Sequence, residues 1–165
     1  MDKQIILMDQ EDIRRFIRRM SIQIWEKLDE ENKPVIIGLN SKGYAMGKEI
    51  ARHLTELLSH DVPVHEFMVR DTPSNNTLPD CSDRHVILVD DVIFSGRTMF
   101  EAISIICKTY EPALIQTLVL IDRGHRKYPI KADLVGRSTP TKVGEHIEVM
   151  LSDDRPGKVI LFKNT

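Results

Sequence analysis

Apolar residues along this chain fall into short unbroken runs, separated by stretches of helical periodicity. PVIIGL (34–39), HVILVD (85–90) and ALIQTLVLI (113–121) hold few polar positions, as expected of strands covered on both faces. VPVHEFMV (62–69) has the composition of another strand, and QIILM (4–8) that of a short one near the start. Between these runs the period becomes 3.6. Ile13, Phe16, Ile17, Met20, Ile24 and Leu28 share one face of a helix reaching about Glu30, with Asp9 as N-cap and Glu11 and Asp12 in its first turn. A second helix is expected from Gly43 to about Leu58, and a third from Arg97 to Tyr110. DTPSNNTLPDCSD (71–83) is polar and rich in Pro and Asn, which makes it a loop.

Strands alternating with helices predict an α/β fold, a parallel sheet flanked by helices and built from right-handed βαβ units. Such sheets bind ligands beyond the carboxyl ends of their strands, where the winding direction reverses. The rhythm breaks after residue 122. HIEVML (146–151) and KVILF (158–162) read as strands with no room for a long helix between them. The expectation is a single domain, with a core over about 9–121 and a small hood of 122–165 plus strand 4–8.

At 165 residues, with 41% hydrophobic and 29% charged, the chain has the makeup of a globular domain rather than a disordered one. A net charge of −2 excludes the bulk basicity of an obligate nucleic-acid binder and leaves local patches open. Cys81 and Cys107 lack CxxC spacing, so neither a disulfide framework nor a zinc site is indicated; Cys107, within AISIIC, reads as a core residue. The first apolar run is too short for a signal peptide, and none approaches membrane-spanning length. The expected location is the cytoplasm, with no membrane partner.

The chemistry concentrates in VILVDDVIFSGRT (86–98). Ser95, Gly96, Arg97 and Thr98 stand where a strand yields to a helix. Unpaired amides at a helix start favour an anion, a glycine permits close approach, and the hydroxyls add donors. Asp90 and Asp91 are poor partners for a phosphate, but carboxylates accept hydrogen bonds from sugar hydroxyls and hold divalent cations. Phosphate and vicinal hydroxyls within one short loop describe a ribose 5-phosphate.

That stretch resembles the signature of the type I phosphoribosyltransferases at every defined position. The resemblance implies phosphoribosyl pyrophosphate (PRPP) as substrate and Mg²⁺ accompanying it. It makes Asp90 and Asp91 the catalytic acids, touching the metal indirectly, and Phe94, Ser95, Gly96, Arg97 and Thr98 the 5′-phosphate cradle. PVIIGLNSKG (34–43) is similar to the family's pyrophosphate loop, which assigns Ser41, Lys42 and Gly43 to the leaving group. LVLIDRGHRKYPIKADLVGRSTPT (118–141), with MDQEDIRR near the start, resembles the branch that joins uracil phosphoribosyltransferase activity to attenuation of pyrimidine operons. By that likeness Arg123, Val135 and Gly136 meet the base, uracil becomes UMP and pyrophosphate is released. Purine members carry an Asp where Phe94 stands, and an aromatic ring cannot exchange a proton there.

The chain departs from the family in two places. The segment 70–83 is short for a loop that closes over PRPP, so the expected turnover is weak. The branch's Thr-Arg-x-x-His stretch for RNA is replaced by Arg18-Arg19-Met20-Ser21-Ile22, which keeps the arginine alone. Arg15, Arg18 and Arg19 on the first helix, with His125 and Arg126 further on, remain the candidates for contact with an mRNA leader. The plainer readings are a solvated helix face and, for His125, a structural hydrogen bond. Family likeness further implies a homo-oligomer, a dimer or larger. The leading reading is therefore transfer of phosphoribose to uracil. The alternatives are a nucleotide-sensing, RNA-binding regulator with little catalysis, and a phosphoribosyltransferase for purines.

Overall fold

In the computed structural model, which describes residues 3–70 and 77–164, five parallel strands run in the order β3-β2-β4-β5-β6. These are β2 (Pro34–Gly38), β3 (Val64–Glu66), β4 (His85–Ile93), β5 (Leu114–Asp122) and β6 (Leu134–Ser138). After β3 the chain returns past β2 to lay down β4, so the winding reverses between β2 and β4. That is the switch point at which open α/β sheets take ligands.

Alternate residues of the strands feed two cores. Ile36, Ile87, Val89, Leu118 and Leu120 face α1 (Gln10–Lys27) and α2 (Ser41–Leu58). Val35, Ile37, Val86, Leu88 and Val119 face α3 (Arg97–Thr109). Helices therefore cover both sides, which explains why the strands read as continuous apolar runs. A second sheet, antiparallel in the order β1-β8-β7, joins β1 (Lys3–Met8) to β7 (Glu145–Ser152) and β8 (Arg155–Lys163). Its Ile147, Val149, Val159 and Leu161 share the core of α1 and α2. The β7–β8 turn places Asp153 and Asp154 at φ 51° and 59°, the pair of left-handed residues that a tight hairpin of type I′ uses.

Helix α1 starts as its sequence requires. The Asp9 carboxylate accepts from the amide of Asp12 at 2.8 Å, and Asp12 returns the bond to the amide of Asp9 at 3.1 Å. It ends at Lys27, short of Glu30, because Leu28 is already extended.

Other boundaries differ more from expectation. Helix α2 begins at Ser41, not Gly43, since Asn40 supplies the cap. Strand β3 keeps only three of the eight residues of 62–69, because at the sheet edge it pairs with β2 alone. Strand β6 is unforeseen: LVGRS is short, polar at one end and carries a glycine, so its pattern lacks a strand's alternation. Cys107 is exposed on α3, and Cys81 is the buried cysteine. Among the described residues, no helix is long and apolar enough to cross a membrane.

Candidate active site

Gly96 is the N-cap of α3 and adopts φ 84°, a left-handed conformation that no side chain caps. Among the described residues the amides of Thr98 and Met99 in the helix's first turn have no partner, while that of Arg97 reaches the Ser95 hydroxyl at 3.3 Å. The segment after β5 buttresses this turn. The amides of Lys127 and Tyr128 donate to the Ser95 carbonyl at 2.9 and 3.1 Å, and that of Arg123 donates to the Ile93 carbonyl at 2.9 Å. Arg126 donates through Nη1 to the Phe94 carbonyl at 2.8 Å and pairs through Nη2 with Asp122 at 2.7 Å. A Cβ on Gly96 would meet Arg126 Cδ at 3.3 Å and Ile130 Cβ at 3.4 Å. The turn expected to cradle a phosphate, residues 94–98, is thus held in place by the segment after β5. Arg70 Nη2 also reaches the Thr98 hydroxyl at 3.5 Å, while Glu101 pairs with both Arg70 and Arg97.

The acid pair lies at the switch point, near the end of β4. Asp90 is 6% exposed and Asp91 half-buried. Asn40, across the switch, donates through Nδ2 to Oδ1 of Asp90 at 2.7 Å and to Oδ1 of Asp91 at 3.2 Å. Burial, with the neighbouring Asp91 carboxyl adding to it, holds the Asp90 carboxyl well above the usual range. Two adjacent acids of which one resists ionisation can present a donor and an acceptor to sugar hydroxyls. Asn40 is a site residue that the sequence motifs do not single out; its one signal is the preference of Asn for N-caps, immediately ahead of Ser41-Lys42-Gly43.

Those three residues form the first turn of α2 rather than a free loop. The amide of Gly43 is taken by Asn40 Oδ1 at 2.7 Å, which leaves the amides of Ser41 and Lys42 at the positive helix end. A Cβ on Gly43 would sit 2.5 Å from the carbonyl oxygen of Val89, so glycine is what lets α2 start against β4. Lys42 Nζ pairs with Glu148 of β7 at 3.3 Å.

Phe94, 41% exposed, lies under the Arg123 guanidinium at 4.3 Å and edge-on to His125 at 5.6 Å. Arg123 also donates to the Thr141 hydroxyl at 3.1 Å and to the Glu145 carbonyl at 2.8 Å, and burial lowers its pKa. Val135 and Gly136 stand apart on the edge strand. The Val135 carbonyl accepts from Arg19 at 2.7 Å, and a Cβ on Gly136 would come within 2.4 Å of the Leu120 carbonyl oxygen.

Of the cations singled out for RNA, Arg19 and Arg126 are committed to carbonyls, and His125 bonds the Thr141 carbonyl at 2.7 Å. Arg15 pairs with Asp12. Arg18 is exposed and borders an open groove of about 530 Å³ with Arg14, Arg52 and Arg155. A larger cleft, about 700 Å³, is lined by Trp25, Leu28, Pro34 and Leu58. It adjoins the amino end of β2, away from the switch point, and holds no paired acids at a helix start. Residues 71–76 of the expected loop lie outside the described residues.

Residues 6–153 match the family profile described as the phosphoribosyl transferase domain. Curated relatives cover the chain almost end to end. The bifunctional protein PyrR of Corynebacterium diphtheriae is 38% identical over 98% of this chain and 94% of its own. That of Pediococcus pentosaceus is 36% identical over 99% and 100%. The pyrimidine operon regulatory protein of Lactococcus lactis is 37% identical over 98% and 96%. Among solved structures, hypoxanthine phosphoribosyltransferase from Trypanosoma cruzi superposes with a TM-score of 0.77, covering 98% of this chain and 96% of its own at 18% identity. A likeness that distant establishes the fold alone.

Proposed function

The chain belongs to the phosphoribosyltransferase family, and from that premise we propose that it transfers 5-phosphoribose from PRPP to uracil, giving UMP and pyrophosphate. The observation that carries this reading is the meeting, at one switch point, of the uncapped Gly96 turn and the Asn40-linked acids. The α3 amides and the Ser95 and Thr98 hydroxyls take the 5′-phosphate, and Asp90 and Asp91 take the ribose hydroxyls. The first turn of α2, with Lys42, takes the departing pyrophosphate. The chain's part is to align uracil N1 with ribose C1 and to stabilise charge as the bond to pyrophosphate breaks.

Phe94 and Arg123 line the base side, the ring stacking and the guanidinium facing a uracil carbonyl. The relatives' names favour a pyrimidine over a purine. Val135 and Gly136, which the family likeness assigns to the base, lie on the edge strand β6. Among the described residues no three His, Cys, Asp or Glu side chains cluster as a metal site. Two carboxylates nevertheless fit Mg²⁺, which keeps its waters and is held largely by substrate phosphates. Bound there with PRPP, the ion would neutralise leaving-group charge.

A second role, regulation of pyrimidine genes through an mRNA leader, draws support from the names of the relatives and from one surface. Arg14, Arg18, Arg52 and Arg155 line the open groove between α1, α2 and the hood, with Glu11 and Glu49 as its acids. Backbone contact by such a groove is salt-dependent. The cytoplasm is the compartment where both roles fit. Turnover with PRPP, Mg²⁺ and a panel of bases tests the first role. UMP from uracil is expected, and nucleotide formed from hypoxanthine instead would overturn it. Salt-sensitive retention of an RNA hairpin tests the second.

A further inference from the structure

Strand β7 of the hood touches the candidate site at two points. At its start the Glu145 carbonyl accepts from Arg123 Nη2 at 2.8 Å, and three residues on the Glu148 carboxylate pairs with Lys42 Nζ at 3.3 Å. The backbone is fixed there. Ile147 and Val149, on either side of Glu148, are buried in the core shared with α1 and α2, and Glu148 is in register with Ile160 of β8. Side chains alternate along a strand, so the burial of those two turns Glu148 out of that core, where it meets Lys42.

Stability does not account for this pair. The Lys42 side chain is 29% exposed and that of Glu148 42%, and ion pairs with so much water around them add little to folding. What the pair does is occupy the ammonium. Among the described residues neither partner takes part in a second ion pair, so one carboxylate stands against one cation. Lys42 is also the sole cationic side chain of the turn Ser41-Lys42-Gly43. An anion reaching that turn for its lysine meets Glu148 first.

We propose that Glu148 is a specificity-determining residue, a counter-ion that competes with pyrophosphate for Lys42. It pairs with the lysine until pyrophosphate, or the pyrophosphate arm of PRPP, takes its place, and then remains nearby as a like charge. The inference rests on the assignment of pyrophosphate to the first turn of α2. A protein discriminates against a ligand by setting a repelling charge beside it. UMP carries no pyrophosphate and leaves the pair of Lys42 and Glu148 intact. Glu148 therefore tilts the site toward the nucleotide, weakens the hold on both pyrophosphate-bearing ligands, and favours departure of the pyrophosphate once formed. Because the β7 backbone is held by Ile147 and Val149, the exchange needs only a turn of the Glu148 side chain.

Calorimetry on the full chain tests this, with inorganic pyrophosphate, PRPP and UMP titrated separately in the presence of Mg²⁺ and without uracil. Glu148→Gln keeps the shape and removes the charge. It should bind pyrophosphate and PRPP about three- to tenfold more tightly, a gain that narrows as salt rises, with UMP affinity within about twofold of wild type. A damaged hood would weaken all three ligands, so a gain confined to two of them cannot come from misfolding. Lys42→Met should weaken pyrophosphate and PRPP and spare UMP. In the double variant K42M/E148Q the gain from removing Glu148 should shrink, since no ammonium is left to release. Glu148→Gln that binds pyrophosphate no more tightly, or that tightens UMP equally, would overturn the proposal; if Lys42→Met still weakens pyrophosphate, the assignment of the α2 turn survives that failure. Pyrophosphate affinity indifferent to Lys42 would overturn the assignment and this inference together.

Discussion

Asn40 joins the acid end of β4 to the first turn of α2, donating to Asp90 at 2.7 Å while accepting from the amide of Gly43 at 2.7 Å. One side chain thereby caps a helix, satisfies a buried carboxyl and sets the spacing between the acids proposed to hold the sugar and the turn proposed to hold pyrophosphate.

Replacing Asn40 with Ala removes both functions. Loss of the cap costs about 1 kcal/mol, and loss of a donor to a buried acid about 1–3 kcal/mol. The expected result is a lower urea midpoint together with a KM for PRPP raised by about tenfold, because the acids lose their orientation. Asn40→Ser keeps a capping oxygen without the reach to Asp90. It should recover part of the stability and little of the KM. Denaturation curves beside PRPP titrations of turnover separate the two contributions.

Asp90→Asn should move stability and activity in opposite directions. The buried carboxyl is held above its usual range by desolvation and by Asp91, so at neutral pH its ionisation opposes folding. An amide keeps the oxygen that accepts from Asn40 at 2.7 Å and from the Asp91 amide at 2.9 Å, and its NH₂ can face Asp91. A higher urea midpoint is expected, with kcat/KM for PRPP lowered by about a hundredfold or more, because an amide cannot take on the negative charge that the acid pair would offer the ribose and Mg²⁺. A variant that is both less stable and fully active would refute the assignment.

Period and run length carry most of the fold. The continuous runs of β2, β4 and β5 announce a covered parallel sheet, and the Asp-Asp to Ser-Gly-Arg-Thr order announces the turn from β4 into α3. Local pattern does not reveal what depends on distant partners. Strand β6 exists because β5 offers an open edge; its own five residues do not alternate. Arg126 resembles one more surface cation in the sequence, yet Asp122, the Phe94 carbonyl and the Ile130 carbonyl make it a brace of the Gly96 turn. Asn40 is hidden similarly, since its carboxylate partners are 50 and 51 residues away along the chain.

The brace has its own test. Arg126→Met keeps much of the apolar stem beside Gly96 while removing the bonds to the Phe94 carbonyl and Asp122. Weaker UMP binding, by about tenfold, is expected by calorimetry, because the Gly96 turn loses its support. Gly96→Ala should be worse. Forcing a side chain into φ 84° costs about 1–2 kcal/mol, and its methyl crowds Arg126 and Ile130. UMP affinity unchanged in both variants would remove the phosphate from this turn.

His85 makes the fold sensitive to acid. It is 2% exposed, the first residue of β4, and its Nε2 lies 2.9 Å from Gln116 Oε1 of β5. Burial lowers its pKa in the folded state, against a smaller opposing effect of the Gln116 bond and a small lowering by Lys27. Unfolded histidine titrates near about 6.5. Below that value the unfolded chain takes a proton that the folded chain resists, so stability is complete above it and declines as the pH falls toward the lower folded value. The His85 contribution to the urea midpoint should therefore fall between about pH 7 and pH 5.5, against the opposite contribution of the raised Asp90 carboxyl, which gains stability as it takes up a proton. Replacing both partners, His85→Leu with Gln116→Leu, removes the titrating group without stranding its neighbour, and relieves the Gln116 Nε2 that is buried without a hydrogen bond. Relative to wild type, the double variant should therefore gain urea midpoint as the pH falls across that window. A difference between the two that does not change with pH would take His85 out of the acid response.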